Sequence, residues 1–180
     1  MMNTDTDNIL YARHTMDREP IKVIADIICH KLNLPTNRVF LFNSINELPK
    51  DDGLYVVLQQ TEYPPFGVKT EYKEIMGTYT EVQSYMTKCM ITVSLVSKNT
   101  EARTRRYEAN LALNSTYSQQ MQENYGFHIA KCSPVANRSF LEASSRLYRF
   151  DTEVTVITAY TKADTVDYYN QFDNAITYEA

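Results

Sequence analysis

From Pro20 onward the apolar residues Ile21, Ile24, Ala25, Ile27, Ile28 and Leu32 return at helical spacing, which predicts a helix over about 20–33 with one buried stripe. Glu19-Pro20 opens it, since a proline in the first turn lacks only an N–H that would have no helical partner there. Leu34-Pro35 ends it. Two short β-rich runs follow, Val39 to Phe42 and Leu54 to Gln59, with Asp51-Asp52-Gly53 as turn chemistry before the second.

Residues 66–75 alternate, with Val68, Thr70 and Tyr72 set against Lys69, Glu71 and Lys73; Gly77-Thr78 supplies a turn, and 81–96 is a second β-rich run. Together they read as a long hairpin, with an arm over about 66–90. Sixteen residues at ~3.3 Å each would extend roughly 50 Å, against ~17–20 Å for an ordinary strand. Part of the hairpin is therefore expected to project beyond the body. Its proximal half places Ile91, Val93 and Leu95 on one face and Thr92 and Ser94 on the other, whereas the distal half carries Glu81, Gln83 and Tyr85. Only the base is predicted to be core.

Asn99-Thr100 offers an N-cap to a second helix reaching about Asn124, with Ala102, Ala109, Ala112, Leu113, Thr116 and Met121 as its sheet-facing stripe and Gly126 as its stop. Phe127 to Ala130 reads as a short strand, and Leu147 to Tyr160 as a long one in which Phe150, Val154 and Val156 share a face. From Lys162 onward neither period continues. The fold class is α+β: a mixed, largely antiparallel sheet with two main helices on one face, a projecting β-hairpin and an extended C-terminal tail. The predicted organisation is a polar leader (1–19), a single α+β domain (20–162) and an acidic, Tyr-rich tail (163–180).

Charge sharpens this division. The 180 residues carry 18 basic and 22 acidic groups, a net charge of −4. Residues 151–180 hold six acids and one base, net −5, whereas 21–150 carry 15 bases and 12 acids, net +3. Such a tail either docks on a basic face, its own or another copy's, or stays solvated. The negative total is opposite in sign to a dedicated nucleic-acid binder. No run approaches the ~20 apolar residues needed to span a bilayer. MMNTDTDNIL lacks the basic-then-apolar order of a signal peptide, so the chain is expected to be used in a reducing cytoplasm. Cys29, Cys89 and Cys132, odd in number and widely spaced, are expected as buried free thiols.

Reactive constellations are hard to assemble. No two of the four glycines lie closer than ten residues apart, so neither a P-loop nor a dinucleotide-binding turn is present. Cys29 and His30 are adjacent and point apart on a helix; His128 and Cys132 share a strand face but sit roughly 13 Å apart, too far for one metal. His14 falls in the leader. The carboxylate pairs Asp51-Asp52 and Asp164 with Asp167 lie where turn formation or solvation already accounts for Asp. No catalytic, cofactor-binding or metal-binding residue is assigned.

Two features remain for recognition. Arg103, Arg105 and Arg106 form the most concentrated basic feature, suited to phosphate or to an acidic partner, with a solvated or ion-paired helix face as the simpler reading. Fourteen tyrosines without a tryptophan are a surplus, and tyrosine suits subunit surfaces because it buries area yet keeps a hydroxyl. Tyr72, Tyr79 and Tyr85 on the arm, and Tyr168, Tyr169 and Phe172 in the tail, are the candidate contacts.

The stretch from Tyr72 through Asn124, with ITVSLVSKNTEARTRRYEANLALNSTYSQQMQENYGFHI, followed by RLYRFDTEVTVITAY and VDYYNQFDNA, resembles the neck or tail-terminator proteins of tailed bacteriophages. The likeness covers roughly residues 20–175. It implies a structural virion protein without enzymatic activity or cofactor, assembled in the host cytoplasm into a hexameric ring at the head-proximal end of the tail tube. Its implied partners are the tail tube protein, the head–tail connector or adaptor and, on a contractile tail, the sheath. Genome DNA would pass through the lumen without sequence-specific binding, and no membrane is involved. Two other readings compete: a nucleic-acid-binding α+β module using the arginines, and a small hydrolase using Asp51, Asp52 or His128, which requires a pocket that gathers them.

Overall fold

The computed structural model describes residues 18–42, 49–75, 78–142 and 145–165. Helix α1 (Pro20–Leu32) carries proline in its first turn and ends at Asn33, which takes the left-handed conformation (φ 51°) and donates its N–H to the Cys29 carbonyl. A 3₁₀ turn (Thr36–Arg38) leads into β1 (Val39–Leu41), and β2 (Tyr55–Glu62) lies parallel to it. Every other strand pair is antiparallel.

The frame is a pair of very long strands, β4 (Thr78–Ser97) and β8 (Ser145–Thr165), held in register from Thr80 opposite Thr165 to Ser97 opposite Tyr148. On the other edge of β4, β2 covers Cys89–Val96 and β3 (Gly67–Ile75) covers Thr78–Met86. Pro64 and Pro65 separate these two strands, since proline has no N–H to donate to the ladder. Tyr63 and Phe66 on either side still donate to the Lys88 and Met86 carbonyls at 3.2 Å. On the far side of β8 lie β5 (Phe127–Cys132), β6 (Ala136–Asn137) and β7 (Phe140–Glu142), which completes an eight-stranded mixed sheet among the described residues.

One face of the sheet is covered by helices. Val56 and Leu58 of β2, Ile91, Val93 and Leu95 of β4, and Val154 and Val156 of β8 meet Val23, Ile24, Ile27 and Ile28 of α1, all at 1% exposure or less. These are the positions that the alternating pattern places on one side. No helix among the described residues is long and apolar enough to cross a membrane.

The second helix departs from expectation. Instead of one rod to Asn124, the chain forms α2 (Glu101–Thr104), α3 (Glu108–Leu113) and α4 (Thr116–Tyr125). Short polar side chains cause the second break: Ser115 Oγ accepts from the Ser118 N–H and donates to the Ala112 carbonyl, while Asn114 donates to the Asn110 carbonyl. Each break resets the helical phase, so Thr116 faces solvent and Ser118 and Gln122 are buried in its place. Gln122 joins α4 to β5, donating to Ser118 Oγ at 3.1 Å and accepting from the Ile129 N–H at 2.8 Å. Asn99 caps α2 as expected, its side chain accepting from the Glu101 N–H at 2.8 Å, whereas Thr100 makes no side-chain cap. Gly126 (φ 67°) ends α4.

The hairpin is a three-stranded arm, which corrects the two-stranded expectation. β8 runs on to Thr165, so Lys162 and, beyond it, Ala163, Asp164 and Thr165, these three expected in the tail, pair with Gln83, Val82, Glu81 and Thr80. β4 is thus flanked on both sides along nearly its whole length. Thr80 and Val82, near the arm tip, are buried as well as the base. Residues 1–17 and 166–180 lie outside the described residues, and with them His14, Asp167, Tyr168, Tyr169 and Phe172.

Candidate functional site

On the arm, register decides which side chains meet. Val68 lies opposite Tyr85, and Tyr85 opposite Tyr160, which makes one row across three strands. The row lies on the face that carries the core nearer the body, but no helix among the described residues makes more than slight contact with β3. Val68 is 71% exposed, Tyr85 41% and Tyr160 48%. Toward the body Phe66 is also exposed, and the hydroxyls of Thr87 and Thr158 bond to each other at 2.9 Å. Toward the tip Tyr72 stacks on Tyr79, with ring centroids 6.1 Å apart and planes 7° from parallel. Polar groups on the same face follow the row toward the tip, where Gln83 lies opposite Lys162 and Glu81 opposite Asp164: Lys162 pairs with Asp164 at 2.7 Å, and Gln83 donates to Glu81 at 3.0 Å.

Tyr72, Tyr79 and Tyr85 therefore fall on one surface of the arm. Val68 and Tyr160 were missed, although the signal existed. Tyr160 continues the period-two series of Phe150, Val154 and Val156, and pairing that series with the β4 series sets it beside Tyr85.

The opposite face of the sheet carries an apolar groove of about 400 Å³ at the other end of β4, lined by Phe40, Phe42, Tyr55, Val57, Phe140 and Leu147. Phe40 and Tyr55 meet edge to face at 6.2 Å, and Phe42 is largely exposed. A heterologous contact needs two unlike patches on each subunit. The arm strip and this groove are unlike, and they lie at opposite ends and on opposite faces.

The basic triplet is split by its surroundings. Arg105 is structural: it pairs with Glu101 at 3.1 Å and Glu108 at 2.7 Å and donates to the Leu32 carbonyl at 2.6 Å, tying α1 to the start of α2 and α3. These partners raise its pKa, the Glu108 hydrogen bond most of all. Arg105→Ala strands the Leu32 carbonyl and two carboxylates, so it is expected to cost about 1–3 kcal/mol, read as a lower urea midpoint with an unchanged m-value; an unmoved midpoint refutes the clamp.

Arg103 and Arg106 instead line an open cleft of about 550 Å³ together with Arg146 from the start of β8, which the sequence reading did not single out. Arg106 lies over the Tyr107 ring at 4.5 Å and Arg146 over Tyr148 at 5.4 Å. None of the three has a carboxylate partner among the described residues.

The groups proposed for hydrolysis are dispersed. Asp51 pairs with Arg38 and accepts the Gly53 N–H at 3.1 Å, and the Arg38 hydrogen bond, aided by that N–H, holds its carboxyl below its ordinary range. It lies before β2, whereas His128 is on β5 at the other side of the sheet, and the two line different cavities. A lowered carboxyl stabilises the fold above its unfolded pKa, and this is lost as pH falls through the folded value. Asp51→Asn keeps the turn but loses the ion pair. It should lower the melting temperature at neutral pH by a gap that closes in acid; a gap that is constant with pH argues against the pairing.

His128 and Cys132 do not share a face. A bulge at Ala130 sets His128 opposite Ile157 but Cys132 opposite Val154, so the two side chains point to opposite sides. His30 stacks on Tyr117 at 4.2 Å. All three cysteines are free; Cys89 is buried, and burial, with some help from Glu62, pushes its thiol up to about 11. Among the described residues no three His, Cys, Asp or Glu side chains gather at one point.

The arm of this α+β protein thus presents a row of exposed apolar side chains, in the manner of an assembly subunit. The chain belongs to the phage neck terminator proteins: the model of that family matches residues 21–179, from α1 through the strands and beyond β8. No curated protein matches it. Membership makes this a structural protein of a bacteriophage, with a place in the neck or tail of the virion and with other tail or head–tail proteins as partners.

Proposed function

We propose that this chain forms a closed, hexameric ring that ends growth of the tail tube at its head-proximal end and joins the tail to the head connector. The observation that carries the reading is the exposed row Val68–Tyr85–Tyr160 on a three-stranded arm. Aromatic side chains held on a sheet lose little entropy when covered, which suits them to be anchors of a subunit contact. The groove of Phe40, Phe42 and Phe140 on the opposite face supplies the unlike patch that a head-to-tail ring requires. Residues 20–162 act as one domain in this reading, with the arm as its projection. DNA passes through the lumen without being gripped, which agrees with a net charge of −4.

Electron microscopy of the intact particle with the subunit located tests the proposal. The expected result is a six-membered ring between tube and connector. Density for the chain at the distal tail tip or on the capsid shell would overturn it.

A further inference from the structure

We propose that the cleft of Arg103, Arg106 and Arg146 is a carboxylate-binding site, and that its ligand is the acidic segment following Thr165 in a second copy of this chain. Three guanidiniums converge on one open cleft without a carboxylate partner among the described residues. Two of them are held over tyrosine rings, which restricts their side-chain freedom before any ligand arrives. The neighbouring Arg105 and Arg149 are committed to Glu101, Glu108 and Asp151. The free basic groups that line the cleft therefore form a compact spot and not a track along which a nucleic-acid backbone could run.

The ligand is identified by charge and by reach. Residues 166–180 hold Asp167, Asp173 and Glu179 and no lysine or arginine, interleaved with Tyr168, Tyr169 and Phe172. The cleft wall adds Val135 and Phe150 to its arginines, so acids and rings both find counterparts. Within one molecule Asp167 and Asp173 cannot meet the cleft. Tyr148 lines the cleft while Thr165 ends the described part of β8, seventeen residues on along an unbroken pairing, or roughly 55 Å at ~3.3 Å per residue. Asp173 can stand at most about 29 Å from Thr165, even fully extended, and Asp167 less, while Glu179 could extend about 50 Å. Only another copy's segment can deliver all three carboxylates. The inference rests on the ring reading in one respect, that two copies must meet.

The test uses full-length chain carrying Asp167→Asn, Asp173→Asn and Glu179→Gln, whose own segment cannot fill the cleft at any state of assembly. A fluorescein-labelled peptide of residues 166–180 is titrated with it and followed by anisotropy. Saturable binding is expected. It should weaken at least tenfold when the receptor also carries Arg103→Ser, Arg106→Ser and Arg146→Ser, or when the peptide's three acids are neutralised. The neutralised peptide needs no change in the receptor, so the comparison survives a poorly folding arginine variant. Absence of binding, equal binding to both receptors, or displacement of the peptide by a lower concentration of short duplex DNA would each overturn the proposal. Mass photometry of wild-type chain reports ring formation separately. Rings without peptide binding would remove the site alone, and peptide binding without rings would remove the ring alone.

Discussion

Full-length chain carrying Val68→Thr, Tyr85→Thr and Tyr160→Thr is expected to fold normally and to form no rings. Threonine keeps β-propensity at all three positions, and exposed substitutions of this kind change stability by about 0.5 kcal/mol or less each. The effect on assembly is much larger, because a buried tyrosine anchor is worth about 2 kcal/mol or more at an interface and a closed ring repeats the same contact between every pair of neighbours. Mass photometry in the presence of tail tube protein reads the outcome, with circular dichroism as the folding control. Undiminished rings would mean that the arm strip is not the subunit contact. Substitution is the cleaner test than excising the hairpin, since removal of Tyr72 to Tyr85 would leave Tyr160 to Thr165 without their partner strand.

The other large effect belongs to the core. Ile91 is fully buried in β4, paired with Gln60 on one side and Val154 on the other and covered by the helical layer. Ile91→Ala removes three carbons from a site that flanking strands prevent from collapsing, so a loss of about 3–4 kcal/mol is expected. That is a large part of the ~5–15 kcal/mol by which a domain is ordinarily stable. Urea unfolding measures it, with Val68→Ala on the arm as a control expected to move the midpoint little. Near-equal losses at the two positions would mean that arm and body do not differ in packing as described.

Much of this division was legible in the sequence, and the reason is periodicity. Helix α1, the alternation at Ile91, Val93 and Leu95 and the series Phe150, Val154 and Val156 each have one buried face, and a buried face imprints its period on the residues. Where both faces are polar or half-exposed the imprint is lost. Lys162 to Thr165 carry no pattern of their own and become strand because β4 offers an open edge beside them. The breaks around Asn114 and Ser115 were overlooked for a different reason: polar side chains satisfied the backbone locally at positions where the apolar spacing still suggested a continuous helix.

The candidate sites divide in the same way. Three arginines close in sequence looked like one feature, but Glu101 and Glu108 occupy Arg105, while Arg103 and Arg106 join Arg146, forty or more residues away. A single bulge at Ala130 was enough to send His128 and Cys132 to opposite faces.

By itself the sequence determined the class of fold, the presence of two unusually long strands, three of the tyrosines that stand on the arm and the uneven spread of charge. All of these follow from local composition and from spacing along one element. Tertiary structure decided which tyrosines form a row, which arginine is spent on holding helices together and how far the acidic segment stands from the basic cleft. Those outcomes depend on register and on distances between elements remote in the chain, and no local pattern encodes them.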